Sequence, residues 1–482
     1  MTSLRPSSYV NCPSPCPASP VYMSSDKNIP APVAETAPEP STGGRKRKAG
    51  AKTAMQDKKA KVEEASPSST TARPKRTAAK KILVGEDEVE DDVVKVKAKS
   101  KTTKKATSTA TKHVKILPPL EQRTQNTKHR IGAHVSIAGG VHNAIINTVY
   151  IGANAFAMFM KNQRKWESKD IDPEHIDFFV KWCEDHKINA AECCLPHGSY
   201  LVNLAHPDPA HKKQSYDSFL NDLTRCHRLG IRLYNFHPGN SNATTREEGI
   251  ITIADNINQA HADPATGKVV TVLETMATLG NTIGGTFTDI AAIIKLVKDK
   301  SRVGVCLDTC HVFAAGYDLR TPEAYTRTMN KFDKEIGLEY LKAFHVNDSK
   351  APLFSHRDVH ARIGTGYLGL QAFHNLMNDE RFHGLPMVLE TPSDTLDADG
   401  KKVEDKGIWA REIKMLESLV GMDVDSDEFK ALDARLQQEG ATERERIGDQ
   451  VKRKAIKDAK PKKATKKAIK NKVESEEDDD EE

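Results

Sequence analysis

The sequence predicts an α/β fold, a single (β/α)8 TIM barrel flanked by disordered N- and C-terminal tails. Three observations carry that expectation. Residues 129–420 alternate short apolar runs with amphipathic helical patterns eight times, the pattern of parallel strands wrapped by helices. That stretch carries a formal charge of −4, against +12 over residues 1–128 and −3 over 421–482, so the basic excess lies in the N-terminal flank. Finally, His, Asp and Glu stand at the ends of the apolar runs rather than within them. A doubly wound open sheet is the competing architecture.

In chain order the predicted strands are RIGAHVSI (130–137), NAFAMFM (154–160), NAAECCLPH (189–197), RLYNFH (232–237), KVVTVLE (268–274), RVGVCLD (302–308), LKAFHVND (341–348) and LPMVLE (385–390). Each is too short for a helix and nearly continuously apolar, as a strand buried on both faces should be. Between them lie the helical patterns HIDFFVKWCEDHK, YDSFLNDLTRCHRLG, EGIITIADNINQAHA, FTDIAAIIKLVKDK, PEAYTRTMNKFDKEIG and LQAFHNLMNDERF, with IWAREIKMLESLVG after the last strand. Gly230 and Gly337 stop two of these helices, the residue type that best tolerates a left-handed C-terminal turn.

The strand ends then bring chemistry together. Strands one and three to eight finish at or near His134, His197, His237, Glu274, Asp308, His345 and Glu390, and in a barrel those ends share one rim. Crowded there without a partner, buried imidazoles and carboxylates would be costly. The loop after strand seven, SHRDVHARIG, adds Asp358 and His360. In VGVCLDTCHVFAAGYD (303–318), Asp308 could cap the following turn, and His311 three positions on could be a satisfied loop histidine. Mixed imidazole and carboxylate ligands suit zinc better than magnesium or calcium. So large a set exceeds what one ion uses, and metal clusters clamp both oxygens of a phosphodiester displacement.

The flanks read differently. Residues 1–128 are rich in Pro, Ser, Thr, Ala and Lys and cannot bury enough apolar surface to offset ordering entropy. Basic clusters at 46–61 and 72–81 read as nuclear-import signals or nucleic-acid patches; an acidic patch, EDEVEDD (86–92), interrupts them. The chain therefore belongs in the nucleus, handled by the import machinery, with a mitochondrial pool as the alternative. The first 25 residues hold one Arg and no acid, but their prolines make a poor presequence helix. A basic run (451–472) followed by ESEEDDDEE lies within the 421–482 tail, where the acidic terminus could fold back and weaken non-specific binding. Eight cysteines without CxxC spacing or a secretory signal imply reduced thiols, and Cys306 and Cys310 read as small buried fillers. No apolar run reaches the roughly 20 residues of a membrane span.

The middle domain resembles the endonuclease IV family, zinc-dependent apurinic/apyrimidinic (AP) endonucleases of base-excision repair. The matching stretches run through it in order: GAHVSIAGG, FMKNQRKW, LPHGSYLVNL, NFHPG, VLET, GVCLDTCHVFAAGYDLRTPE, HVNDSK, RDVHARIGTGYLG and a second VLET. The resemblance implies three Zn2+ per chain. His197, His237 and Glu274 would hold one; Glu274, Asp308, His345 and Glu390 the second; His311, Asp358 and His360 the third. Glu274, Asp308 and Glu390 are the implied catalytic carboxylates, and His134 stands behind the ligands. Asn162, Gln163, Arg164, Tyr200 and Leu201 would contact DNA. The chain departs from the family after Glu274, where it reads TMATLG. The implied reaction is hydrolysis of the phosphodiester 5′ to an abasic site in double-stranded DNA, leaving a 3′-hydroxyl and a 5′-deoxyribose phosphate, with trimming of blocked 3′ ends, by a monomer. The rival readings are a metal-dependent sugar isomerase or epimerase on the same barrel, and a chromatin-binding protein whose basic arms do the work.

Overall fold

The computed structural model describes residues 118–278 and 280–459. The basic clusters at 46–61 and 72–81, the acidic patch at 86–92 and the chain beyond 459 lie outside the described residues.

Seven strands form one parallel sheet: β1 (Arg130–His134), β2 (Ala155–Ala157), β3 (Leu233–Phe236), β4 (Val270–Glu274), β5 (Val303–Asp308), β6 (Leu341–His345) and β7 (Pro386–Leu389). Their spatial order is β2-β1-β7-β6-β5-β4-β3, so β2 and β3 are its two edges. One segment joins those edges. Parallel bridges link Phe156 to Cys194, Phe159 to His197, and His197 to Asn235, which closes the ring. Small and branched side chains from around the ring, among them Ala157, Leu195, Val272, Cys306, Ala343 and Val388, fill its interior. A larger cluster packs the strands against the helices outside.

The closing segment corrects one expectation. NAAECCLPH does not run as a strand over 189–197: its first half is a short helix, Ala190–Cys193. Alanine and glutamate favour a helix there, and the Asn189 side chain caps it by accepting from Ala191 N–H. Only residues 194–197 pair with neighbours, through Leu195 N–H to Phe156 O (2.9 Å) and His197 N–H to Met158 O (3.0 Å). Pro196 has no N–H to extend the ladder.

Helices α1 (Asn143–Tyr150), α2 (Pro173–Asp185), α3 (Ala190–Cys193), α4 (Pro209–Arg228), α5 (Arg246–Ala262), α6 (Phe287–Leu296), α7 (Thr309–Ala315), α8 (Pro322–Glu335), α9 (Leu370–Met377) and α10 (Gly407–Ser418) connect and follow the strands. Asp and Thr caps start most of the long ones; Thr245 and Thr286 form full capping boxes on α5 and α6. Among the described residues, no helix is long and apolar enough to cross a membrane.

Both expected domain boundaries move. Residues 118–128, assigned to a disordered flank, lie on the barrel: Leu120 N–H donates to Tyr150 O at 2.8 Å, and Asn154 Nδ2 to Thr124 O at 2.9 Å. The tail from 421 is not disordered throughout, because Asp427–Asp458 is a 32-residue helix, α11. Its buried stripe is thin: Phe429, Leu436, Gly440, Ile447 and Gly448. Two glycines and a heavily charged outer face hid that stripe from a reading based on apolar content.

Candidate metal centre

The C-terminal ends of the strands converge as the barrel requires. Glu274, last residue of β4, is fully buried and lies among four imidazoles. His197 Nε2 is 3.0 Å and His237 Nε2 3.5 Å from Glu274 Oε2; His345 Nδ1 is 2.9 Å and His311 Nδ1 3.4 Å from Oε1. Asp308, at the end of β5, is 3.9 Å from both His345 Nδ1 and His360 Nε2. Glu390, just past β7, is 3.3 Å from His345 and 3.7 Å from His134. Asp358 Oδ1 lies 3.1 Å from His311 Nε2 and 3.2 Å from His360 Nε2. Thus all nine residues of the expected ligand set share one site, and His134 stands behind Glu390.

Local structure explains how the ligands arrive. Asp308 does both things the sequence allowed: its Oδ1 caps α7 by accepting from His311 N–H at 2.7 Å, and its other oxygen faces the site. The chain leaves β6 through Asp348–Ser349, which pairs antiparallel with His360–Ala361; this two-residue ladder swings His360 back over the barrel mouth.

The donor chemistry fits divalent cations. His197 Nδ1 bonds Gly198 O at 2.7 Å, and His311 Nδ1 bonds Thr275 O at 2.8 Å. His360 Nδ1 lies 3.3 Å from Glu390 O. In each ring the far nitrogen donates to a backbone carbonyl, so a neutral ring presents its lone pair on the near nitrogen. That lone pair faces Glu274 from His197 and Asp358 from His311 and His360. Nε2 of His311 and of His360 is buried without a hydrogen-bond partner. Lone pairs aimed at carboxylates are repulsive unless a cation lies between them, and carbonyl-oriented imidazoles are how proteins fix such ligands. Ligand atoms of Glu274, Asp308, His345 and Glu390 lie within 4.8 Å of one another, as do those of Asp308, His311 and His360.

Electrostatics match. Burial would push the Glu274 carboxyl up, yet the His345 and His237 imidazoles overcome it and hold Glu274 well below the usual carboxylate range. Glu390 is likewise held low, mainly by His345 against its own burial. Burial drives His237 down to about 4. The other imidazoles move the opposite way: against burial, the Asp308 and Asp358 carboxylates hold His311 well above the usual imidazole range, and Asp358 raises His360 to about 9. Protons there occupy the places between imidazole and carboxylate that a divalent cation would take, so binding one would release them.

Four supporting residues escaped the sequence reading. Asn235 Nδ2 donates to Glu274 Oε2 at 2.6 Å, and Asn347 Nδ2 to Asp308 Oδ2 at 2.7 Å. Both asparagines stand two residues from a histidine of the set, so the two-residue strand period places them on the same face; that spacing was the available signal. Cys310 Sγ lies within 4.8 Å of ligand atoms of Asp358 and His360, closer than a core filler need be, though burial pushes its thiol up. Lys161 is the fourth. Buried, it meets Asp222 Oδ1 at 2.9 Å and donates to Ser218 O at 2.7 Å, tying down the root of the loop that carries Asn162, Gln163 and Arg164.

Asn162 and Arg164 are exposed on that loop, with Gln163 half-buried. Ser199 Oγ donates to Gln163 O at 2.7 Å, which joins the loop to the next one. There Tyr200 is 57% and Leu201 38% exposed, high for residues of their size. The Tyr200 ring packs on Phe159, His197 and His237 with centroids 5.3–5.6 Å away, directly beside the ligands.

Comparison with known proteins agrees with this geometry. The family model described as the xylose isomerase-like TIM barrel matches residues 147–419. Apurinic-apyrimidinic endonuclease 1 of Schizosaccharomyces pombe is 44% identical over 319 residues, 66% of this chain and 90% of the relative. Probable endonuclease 4 of Campylobacter curvus is 47% identical over 290 residues, 60% of this chain and 97% of the relative. The crystal structure of endonuclease IV from Thermus thermophilus superposes with a TM-score of 0.51 at 28% identity, covering 60% of this chain and 98% of that one. These relatives set aside the sugar isomerase and the inert-barrel readings. The chain is a member of the xylose isomerase-like TIM barrel family and, within it, of the endonuclease IV family.

Proposed function

We propose that this protein is an AP endonuclease of DNA repair that hydrolyses the phosphodiester 5′ to abasic sites, with three zinc ions held by the clustered ligands. The observation that carries this reading is the convergence of five imidazoles and four carboxylates on one rim. His197, His237 and Glu274 would hold one ion; Glu274, Asp308, His345 and Glu390 a second; and His311, Asp358 and His360 the third. Bound divalent ions supply Lewis acidity at the phosphoryl group and bring the pKa of water from ~16 to ~7.

The chain's own residues supply the rest. Asn235 and Asn347 hold Glu274 and Asp308 in place by amide hydrogen bonds. Tyr200 and Leu201, exposed beside the ligands, have the size and polarity to prop open a base step. Arg164 and its neighbours suit backbone phosphates. An abasic nucleotide presents no base edge, so recognition through backbone and deformability is the mode that fits. Blocked 3′ ends offer the same phosphodiester to the same ligands.

The test is incision of a duplex bearing one tetrahydrofuran abasic mimic, with and without a zinc chelator. A metal-loaded protein that leaves that duplex intact refutes the reading. Elemental analysis should find three zinc ions per chain. We further assign the protein to the nucleus, through the clusters at 46–61 and 72–81, and to a monomer. Deleting 46–81 from a fluorescent fusion should abolish nuclear accumulation, and light scattering should return a mass near 53.2 kDa.

A further inference from the structure

Helix α11 climbs the barrel wall onto the rim. Phe429 packs on the ring of His374 in α9, with centroids 5.6 Å apart. One turn later Asp433 Oδ1 accepts from Leu370 N–H (3.4 Å), at the rim end of α9. The helix then follows the loop that carries Asp358 and His360. Gln437 Nε2 donates to Gly364 O (2.8 Å) and Gly366 O (3.2 Å), and Arg444 Nη1 to Thr365 O (2.5 Å). Tyr367 returns its hydroxyl to Arg444 O at 2.9 Å. Finally, Gln450 Oε1 accepts from Arg357 Nη1 at 3.1 Å, one residue before the Asp358 carboxylate.

Eight helical residues remain beyond that contact, about 12 Å of helix at 1.5 Å per residue, and all of them but Val451 are exposed. They carry Lys452, Arg453, Lys454 and Lys457 against a single acid, Asp458. On a helix, positions 453, 454 and 457 follow 450 at spacings of three, four and seven, so they share the stripe that touches Arg357. Lys452, two residues from Gln450, points to the far side and pairs with Asp449 at 3.6 Å. Among the described residues, no ion pair engages the three cations on the stripe.

We infer that this end of α11 is a second DNA-binding element: Arg453, Lys454 and Lys457 contact duplex phosphates to the side of the reacting one, extending the footprint past the metal-ligand loop. The inference rests on the proposed DNA substrate and goes beyond it, because the element lies outside the barrel. The partner follows from charge and place. Arg357 adjoins Asp358 and touches Gln450, and the helix runs on from that contact into three cations and one acid, Asp458, with no ion pair to the three cations among the described residues.

The experiment uses the full chain and a duplex with one tetrahydrofuran site whose 5′ linkage is a hydrolysis-resistant phosphorothioate, at low temperature, with affinity measured from ~50 to ~200 mM salt. Each phosphate that a variant ceases to neutralise should lower the slope of log affinity against log salt by about 0.9. Arg453→Gln, Lys454→Gln and Lys457→Gln combined should reduce that slope by about 2.7 and weaken binding at least ~10-fold near 0.15 M salt. Lys452→Gln, which removes equal charge per residue from the opposite side, should leave both at wild-type values. An unchanged slope in the triple variant overturns the inference, as does a reduction in Lys452→Gln equal to one third of the triple's. Failure of the wild-type protein to incise the same duplex made with an ordinary phosphodiester would instead count against the proposed function.

Discussion

Gly440→Ala is the substitution on which two ordinary expectations collide. In an exposed helix interior, alanine is favoured over glycine by about 0.5–1 kcal/mol. At Gly440, however, a Cβ would stand 1.8 Å from Thr365 O and 2.7 Å from its carbonyl carbon. That obstacle is backbone and cannot rotate away, so the helix must retreat by about 1.5 Å to reach ordinary contact. The retreat stretches the Arg444 and Gln437 bonds to Thr365 O and Gly364 O beyond hydrogen-bond length. A charged hydrogen bond contributes about 1.5–3 kcal/mol and a neutral one about 1. With the helix gain subtracted, Gly440→Ala should destabilise by about 1.5–3.5 kcal/mol in urea denaturation followed by circular dichroism. Gly448→Ala is the internal control. Its Cβ meets the hydroxyl end of Tyr367 at 2.4 Å and nothing else closer than 3.6 Å, and that side chain can swing aside. It should cost less than about 1 kcal/mol. A Gly440→Ala protein as stable as wild type, or a Gly448→Ala protein as impaired as Gly440→Ala, would refute the reasoning.

Three further outcomes are expected. Lys161→Met strands Asp222 in the core and should cost about 3–5 kcal/mol, most of it recovered when Asp222→Leu is added; denaturation of the single and double variants checks this. His311→Ala should lower the zinc content by one ion per chain and cut turnover far more than duplex affinity, read by elemental analysis and by binding at matched salt; equal losses would deny it a ligand's role. Burial raises the Glu412 carboxyl from 4.5 to about 7. The unfolded chain therefore releases this proton first, and the native state holds the extra proton between pH 4.5 and 7. Stability from this group is complete below pH 4.5 and falls as pH rises through 7, by on the order of 3 kcal/mol. Glu412→Gln should flatten that part of the stability profile, and an unaltered slope would locate the titration elsewhere.

The barrel was legible because buried parallel strands must be short, apolar and alternate with helices, and seven of eight predicted strands contain an observed one. The third failed in its first half, because helix-favouring residues behind an Asn189 cap form a helix over 190–193; the rest pairs as expected, with Pro196 O accepting from Asn235 N–H at 2.9 Å. The rim was readable because a barrel makes strand ends neighbours, which turns seven separated positions into one place. Its supporting shell was harder to see. Asn235 and Asn347 look like loop asparagines until the two-residue period ties them to His237 and His345. Lys161 reads as one more surface cation in KNQRKW; only the fold shows it inverted into the core against Asp222. Helix α11 hid for the opposite reason, since its contact stripe is made with glycines, which carry no hydropathy signal.

The barrel is welded along most of its circumference but merely pinned at residues 194–197, and His197 is itself one of the pins. Tyr200 stands three residues downstream, so the segment that completes the ring also carries the exposed aromatic beside the ligand set. A substitution that loosens residues 194–197 would therefore disturb the closure of the cylinder, a member of that set and the aromatic at one stroke.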